Sequence, residues 1–103
     1  FYGTGVSGGR VTAEAIVITE PDFDLKVSGK IIVSRMTDPG WVFLIAQSAG
    51  IISEKGSLLS HTAIVGRELR IPAIVGVDQA TSSIQSGDII SMDGYSGVVN
   101  KIS

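Results

Sequence analysis

The chain has 103 residues, 44% hydrophobic and 17% charged, which suits one domain with a single core and excludes a disordered chain or a coiled coil. A formal charge of −2 gives no general attraction to nucleic acid or to an anionic membrane, and no apolar run approaches the roughly 20 residues that span a bilayer. With no cysteine, disulfides and thiolate metal sites are excluded, and a cytoplasmic protein is the expectation. Phe1 stands where a natural chain would begin with Met, and no secretory signal is visible. Residues 1–103 therefore read as one domain, monomeric by itself, cut from a larger multidomain protein.

Taken in order, Gly3 to Gly9 reads as an irregular opening. Val11 to Thr19 alternates and is β-branched, which predicts a strand. Glu20 to Asp24 is a turn, and Ser28-Gly29 introduces a second strand from Lys30 to Met36. Thr37-Asp38-Pro39 is a helix-start signal, and the helix is expected from Gly40 to Ala49, stopped by Gly50. Ile51 to Ser53 forms a short strand. The Gly56-Ser57 turn then launches a helix that ends near Arg70, because Pro72 cannot continue it. Ala73 to Val77, Asp88 to Met92 and Gly97 to Ile102 are expected strands, with a turn at Asp93-Gly94 and a short helix at Ala80 to Ile84. Six strands and two main helices in mixed order predict an α/β or α+β sandwich.

His61 is the only histidine. It falls at or just inside the start of the second helix, where unpaired N–H groups and the helix dipole favour an anion. On a helical wheel Leu58, Thr62, Val65 and Leu69 form one stripe, and His61 lies about 60° from its centre, at the rim. The hydroxyls of Ser57, Ser60 and Thr62 are placed to donate to a phosphate, and Lys55 adds a nearby cation. Histidine is an accepted covalent nucleophile. A lone histidine is equally compatible with a structural or surface role.

Other chemistries fit less well. Catalytic zinc wants three protein ligands, and one His with scattered carboxylates gives no such spacing, so no metal site is expected. Ser60 and His61 are adjacent and do not face each other on a helix. Ala46 to Gly50 resembles a nucleophile elbow but lacks its first Gly and reads helix-then-strand, the reverse of the required order. Gly3 to Gly8 matches G-x-G-x-x-G, yet it follows no strand and opens no helix. With 13 glycines in the chain it is assigned to turn formation.

From Ser53 to Val77 the chain resembles the phosphohistidine (swivelling, or mobile) domain of phosphoenolpyruvate-utilising enzymes. Glu54, Gly56, Ser60, His61, Ala63, Ile64, Val65, Arg67, Glu68, Ile71, Pro72, Ala73, Val75 and Gly76 match its signature in register. Gly5-Val6-Ser7, the strand from Lys30 leading to Thr37-Asp38-Pro39, and Asp93 to Val99 resemble other parts of the same family. The resemblance implies a swivelling β/β/α domain of α/β class. In such a domain His61 takes a phosphoryl group at one site and delivers it at another, and Ser53, Gly56 and Ser60 shape its turn. It implies no cofactor on this domain itself. Mg²⁺ with ATP, on an ATP-grasp domain, or phosphoenolpyruvate would serve partner domains of the parent chain, together with a substrate domain. The alternative is a non-catalytic swivelling-fold interaction module that retains the motif. Three positions depart from the signature: Ser53 replaces Thr, Ser57 replaces a second Gly, and Arg70 replaces a Gly expected in the left-handed region.

Overall fold

The computed structural model describes residues 1–22 and 24–103, so Phe23 of the expected Glu20–Asp24 turn lies outside the described residues. Seven strands form one sheet: β1 (Thr4–Ser7), β2 (Arg10–Val17), β3 (Ile31–Ser34), β4 (Gly50–Ser53), β5 (Ala73–Val75), β6 (Ile89–Asp93) and β7 (Val98–Lys101). The helices are α1 (Val42–Ile45), preceded by a 3-10 turn at Pro39–Trp41, α2 (His61–Leu69) and α3 (Ala80–Ser83).

The strand order is β1-β5-β4-β3-β2-β6-β7. β2, β3, β4 and β5 run parallel, in registers such as Ala15↔Ile31, Ile32↔Ile51 and Ile51↔Ala73. β1, β6 and β7 pair antiparallel at the flanks. β2 serves two neighbours: its first half, Arg10 to Glu14, pairs with β6, and Ala15 to Val17 pair with β3. The sheet curls through that strand until its ends meet. The Gly3 N–H donates to the Gly97 carbonyl at 2.8 Å and the Val99 N–H to the Phe1 carbonyl at 2.9 Å.

Every residue of β3, β4 and β5 is buried, as expected of parallel strands covered on both faces. The period of two divides their side chains between two cores. Ile32, Ile51, Ala73 and Val75 pack with Trp41, Leu44, Ile45, Ala63 and Val65 under the helical layer. Ile31, Val33, Ile52 and Ile74 pack with Ile90, Met92 and Val99 inside the curl, where Ala80 and Ile84 join them. The layers are thus helix, parallel sheet and antiparallel sheet, the α/β arrangement expected from the family likeness.

Four expectations change. The opening segment holds a strand, β1. Gly5 sits so close to the chain opposite that a Cβ would meet the Gly94 carbonyl oxygen at 2.3 Å, so this glycine serves close approach within a strand rather than a turn. The 40–49 helix shortens to α1, because the chain tightens at Gln47 and Ser48 into i→i+3 bonds to Leu44 and Ile45 before Gly50 enters β4 beside Ile31. The short α3 ends at Ser83, with Ile84 already in extended conformation. Finally, α2 begins at His61, so Leu58 is no part of its buried stripe and is 57% exposed. The face of α2 turned to the sheet is Thr62, Ala63, Val65 and Gly66.

Candidate functional site

The carboxyl ends of β3 and β4 lie side by side at the middle of the parallel sheet, and the loops that leave them meet there. After β3 the chain runs through Arg35 and Met36 to Thr37. Asp38 then caps the 3-10 turn, accepting the Gly40 N–H at 2.8 Å, and this holds the backbone beside Thr37. After β4 the chain turns through Gly56 and starts α2 at His61.

Thr37 Oγ1 lies 3.0 Å from His61 Nδ1 and 2.7 Å from Thr62 Oγ1. Both threonines are buried, and the imidazole is half-buried. Engaging Nδ1 fixes the ring plane and leaves Nε2 as the nitrogen without a protein partner among the described residues. When Nε2 carries the lone pair, Nδ1–H donates to Thr37, whose own proton is then free to pass to Thr62.

The turn before His61 is held by short local bonds. Gly56 has φ 125°, and a Cβ there would meet Ser60 Oγ at 2.8 Å, so the residue must be glycine for two reasons. The Ser60 hydroxyl donates to the Ser57 carbonyl at 2.8 Å. Ser57 Oγ accepts the Leu59 N–H at 3.4 Å. The buried Ser53 hydroxyl is shared between the carbonyls of Lys55 at 2.7 Å and Arg35 at 3.2 Å, joining the two loops. Arg67 reaches back from α2 to donate to the Leu58 carbonyl at 2.7 Å and the Val6 carbonyl at 3.2 Å.

Ser60 is the N-cap of α2 in extended conformation (φ −73°, ψ 163°), yet its side chain makes no capping bond. The first turn of α2 also carries no acidic residue. The positive end of the helix is therefore uncompensated beside the imidazole. Glu54, the carboxylate of the turn before His61, faces away toward α3. It accepts the Thr81 N–H at 2.8 Å and the Thr81 hydroxyl. The Thr81 hydroxyl bond, opposed by partial burial and helped by the Thr81 N–H, Arg35 and Lys55, holds its carboxyl below the ordinary value. Among the described residues no group of three or more His, Cys, Asp or Glu side chains comes together to hold a metal ion.

Of the residues singled out from sequence, His61 and Thr62 meet at one point, through Thr37. Ser53, Gly56, Ser57 and Ser60 build the turn, and their hydroxyls are engaged with backbone. Lys55 is exposed beside Glu54. Local sequence marks Thr37 only as part of a helix start, although the Thr37-Asp38-Pro39 likeness includes it. Arg67 matches the signature, which gives it no role. Ser57 does not have a positive φ, so its replacement of Gly costs nothing in backbone conformation. Arg70 does stand in the left-handed region (φ 57°, ψ 43°). There the Ile71 N–H bonds the Gly66 carbonyl at 2.9 Å and the Arg70 N–H the Arg67 carbonyl at 3.3 Å, a Schellman end.

The family profile of the PEP-utilising enzyme mobile domain matches residues 26–97. An uncharacterized phosphotransferase, YvkC, of Bacillus subtilis (strain 168) is 37% identical over 99% of this chain, which spans 12% of that protein. The phosphoenolpyruvate synthase of Aeropyrum pernix is 39% identical over 92% of this chain, which spans 11% of it. The chain thus covers about an eighth of the length of these relatives. Among solved structures, the enzyme I protein nEIt superposes with a TM-score of 0.65 and 32% identity over 76% of this chain and 32% of its own. The holo-form of Thermococcus kodakaraensis aconitase X gives a TM-score of 0.79 over 99% of this chain and 97% of its own, at 21% identity, a likeness of fold alone.

Proposed function

This chain belongs to the mobile-domain family of PEP-utilising enzymes, and from that premise we propose that it is the phosphoryl carrier of a larger phosphotransferase, with His61 as the group that takes and releases the phosphoryl. The observation that carries this reading is the 3.0 Å pairing of Nδ1 with Thr37 beside a helix start that no side chain caps. The pairing engages Nδ1 and leaves Nε2 without a protein partner among the described residues, and the helix start favours the negative charge that a bound phosphoryl brings, about −1.5 to −2 by analogy with other phosphorylated side chains.

In the first half-reaction the Nε2 lone pair attacks the donor phosphorus. The N–P bond forms as the bond from phosphorus to the leaving oxygen breaks, and that oxygen departs with the electron pair. Nδ1 keeps its proton on Thr37, so the ring charge that develops is met by a hydroxyl oxygen. In the second half-reaction the acceptor attacks phosphorus, the N–P bond breaks, and its electrons return to the ring. The donor is ATP on an ATP-grasp domain of the parent chain, with phosphoenolpyruvate as the alternative, and a substrate domain receives the phosphoryl after the carrier has swivelled. Mg²⁺ and nucleotide would belong to those partner domains, since the only carboxylate in the turn, Glu54, is committed to Thr81. The proposed setting is cytoplasmic, and no helix among the described residues is long and apolar enough to cross a membrane.

The test is labelling. Incubated with its parent chain and donor, the protein should acquire label that is lost in acid and survives base, as a phosphoramidate does, and His61→Ala should acquire none. Acid-stable label, or label that persists in His61→Ala, would remove the assignment. A protein that stays unmodified beside a competent donor would instead be an interaction module.

A further inference from the structure

We propose that Leu58 and Leu59, with Ile64 on the helix that follows them and Met36 on the loop that carries Thr37, form the face by which the domain seats itself on the phosphoryl-donor portion of its own longer chain. The inference rests on reading His61 as the phosphoryl acceptor. Leu58 is 57% exposed, Leu59 83%, Met36 63% and Ile64 43%. They surround the imidazole in the chain. The two leucines stand two and three residues before His61, and Ile64 follows at i+3, its neighbour on the helix surface. Met36 adjoins Thr37, whose hydroxyl holds Nδ1. Isolated exposed apolar residues are ordinary, but two consecutive exposed leucines next to the reactive group, with more apolar exposure on both elements that carry it, suit an interaction surface.

Two further observations favour docking over idle exposure. The loop that carries the leucines is braced rather than slack. Arg67 holds the Leu58 carbonyl, Ser60 holds the Ser57 carbonyl, and Gly56 sets the turn. A preformed apolar projection loses little freedom when it is covered. From Gly56 to Gly66 the chain also carries no charged side chain, His61 being its only titratable group, so the stretch itself brings no fixed charge to desolvate, and the nearby Arg67 guanidinium is already bonded to the Leu58 and Val6 carbonyls.

The occupant follows from reach. Attack requires the donor phosphorus within about 3–3.5 Å of Nε2, so the surface that holds the donor must lie over the residues flanking His61. This chain spans 11–12% of its relatives, whose remaining length supplies such a surface within one polypeptide.

The experiment compares two donors in the full-length parent chain carrying Leu58→Ser and Leu59→Ser together. One donor is ATP or phosphoenolpyruvate, whichever labels the unaltered chain. The other is phosphoramidate, a small molecule that needs no docking: its P–N bond breaks, ammonia leaves, and the phosphoryl joins Nε2. The expected result is at least a tenfold fall in the rate of labelling from the natural donor, unchanged labelling by phosphoramidate, and recovery in the Leu58→Met, Leu59→Met chain. Unchanged labelling from both donors overturns the docking face. An equal fall from both also overturns it, since the leucines would then act on the histidine or the fold. If the unaltered chain takes label at His61 from neither donor, the acceptor reading itself fails.

Discussion

Thr37 and His61 are 24 positions apart in the chain and joined by a 3.0 Å hydrogen bond, so the orientation of the imidazole depends on a residue that local sequence reading assigns elsewhere. Thr37→Val keeps the shape and removes the hydroxyl. It leaves the Thr62 hydroxyl buried without a partner and frees the imidazole to rotate. The expected outcome is a loss of about 1–3 kcal/mol in folding stability and labelling of His61 slowed by about tenfold to a hundredfold. Thr37→Ser should retain most of both. Denaturation midpoints and single-turnover labelling rates measure the two effects, and an unaltered labelling rate in Thr37→Val would contradict the positioning role. The candidate histidine was legible from sequence because its signals are local: a Gly-Ser turn, a helix start and a matched signature. Its partner was not, since nothing near Thr37 distinguishes a residue that caps the next turn from one that reaches across to α2. Asp38 makes the cap, and Thr37 makes the contact.

At the scale of elements, the two ends of α2 obey different rules. Its start is left open, and its end is closed by Arg70 in a left-handed conformation that costs an L-residue about 1–2 kcal/mol. Arg70→Gly removes that cost at the price of greater freedom in the unfolded chain, so a net gain of about 0.5–1 kcal/mol in stability is expected by chemical denaturation. Glu54 links β4 to α3 through Thr81. Its carboxyl is held below the ordinary carboxylate value in the folded chain. Its contribution is therefore complete above the unfolded value and is lost as the pH falls through the lower folded one. Glu54→Gln should cost about 1 kcal/mol at neutral pH, less where solvent screens the contact, and should flatten the loss of stability as the pH falls below the ordinary carboxylate value. An acid limb as steep as that of the unaltered chain would exclude this role. The parallel strands were legible because their β-branched runs are buried on both faces. β1 was not, because Thr4-Gly5-Val6-Ser7 has weak local preference for a strand and becomes one only by pairing with Ala73 to Val75. α1 is shorter than its sequence suggests for the complementary reason. Residues 46–49 suit a helix locally, but Gly50 must already lie beside Ile31.

The whole molecule measures 29 × 28 × 21 Å and carries its one histidine where the ends of β3 and β4 meet. On the proposed carrier reading, a rigid body of that size brings Nε2 to two separate reaction centres only by moving as a unit, and each docking must restore a near-attack geometry. In the proposed cycle this movement is cheap while the domain is tethered, because the linker holds the histidine at a high effective concentration near both centres. A parent chain deleted of residues 1–103 should therefore be inactive and should regain some turnover when the 103-residue chain is added in trans. The rescue should rise with added chain, require His61, and remain well below the tethered rate even at about millimolar concentration, the range that a short flexible linker supplies. Titrating the separate chain into the deleted parent measures this directly. Turnover by the 103-residue chain alone, or full rescue at trace concentration, would show that the reaction does not depend on a carrier travelling between centres.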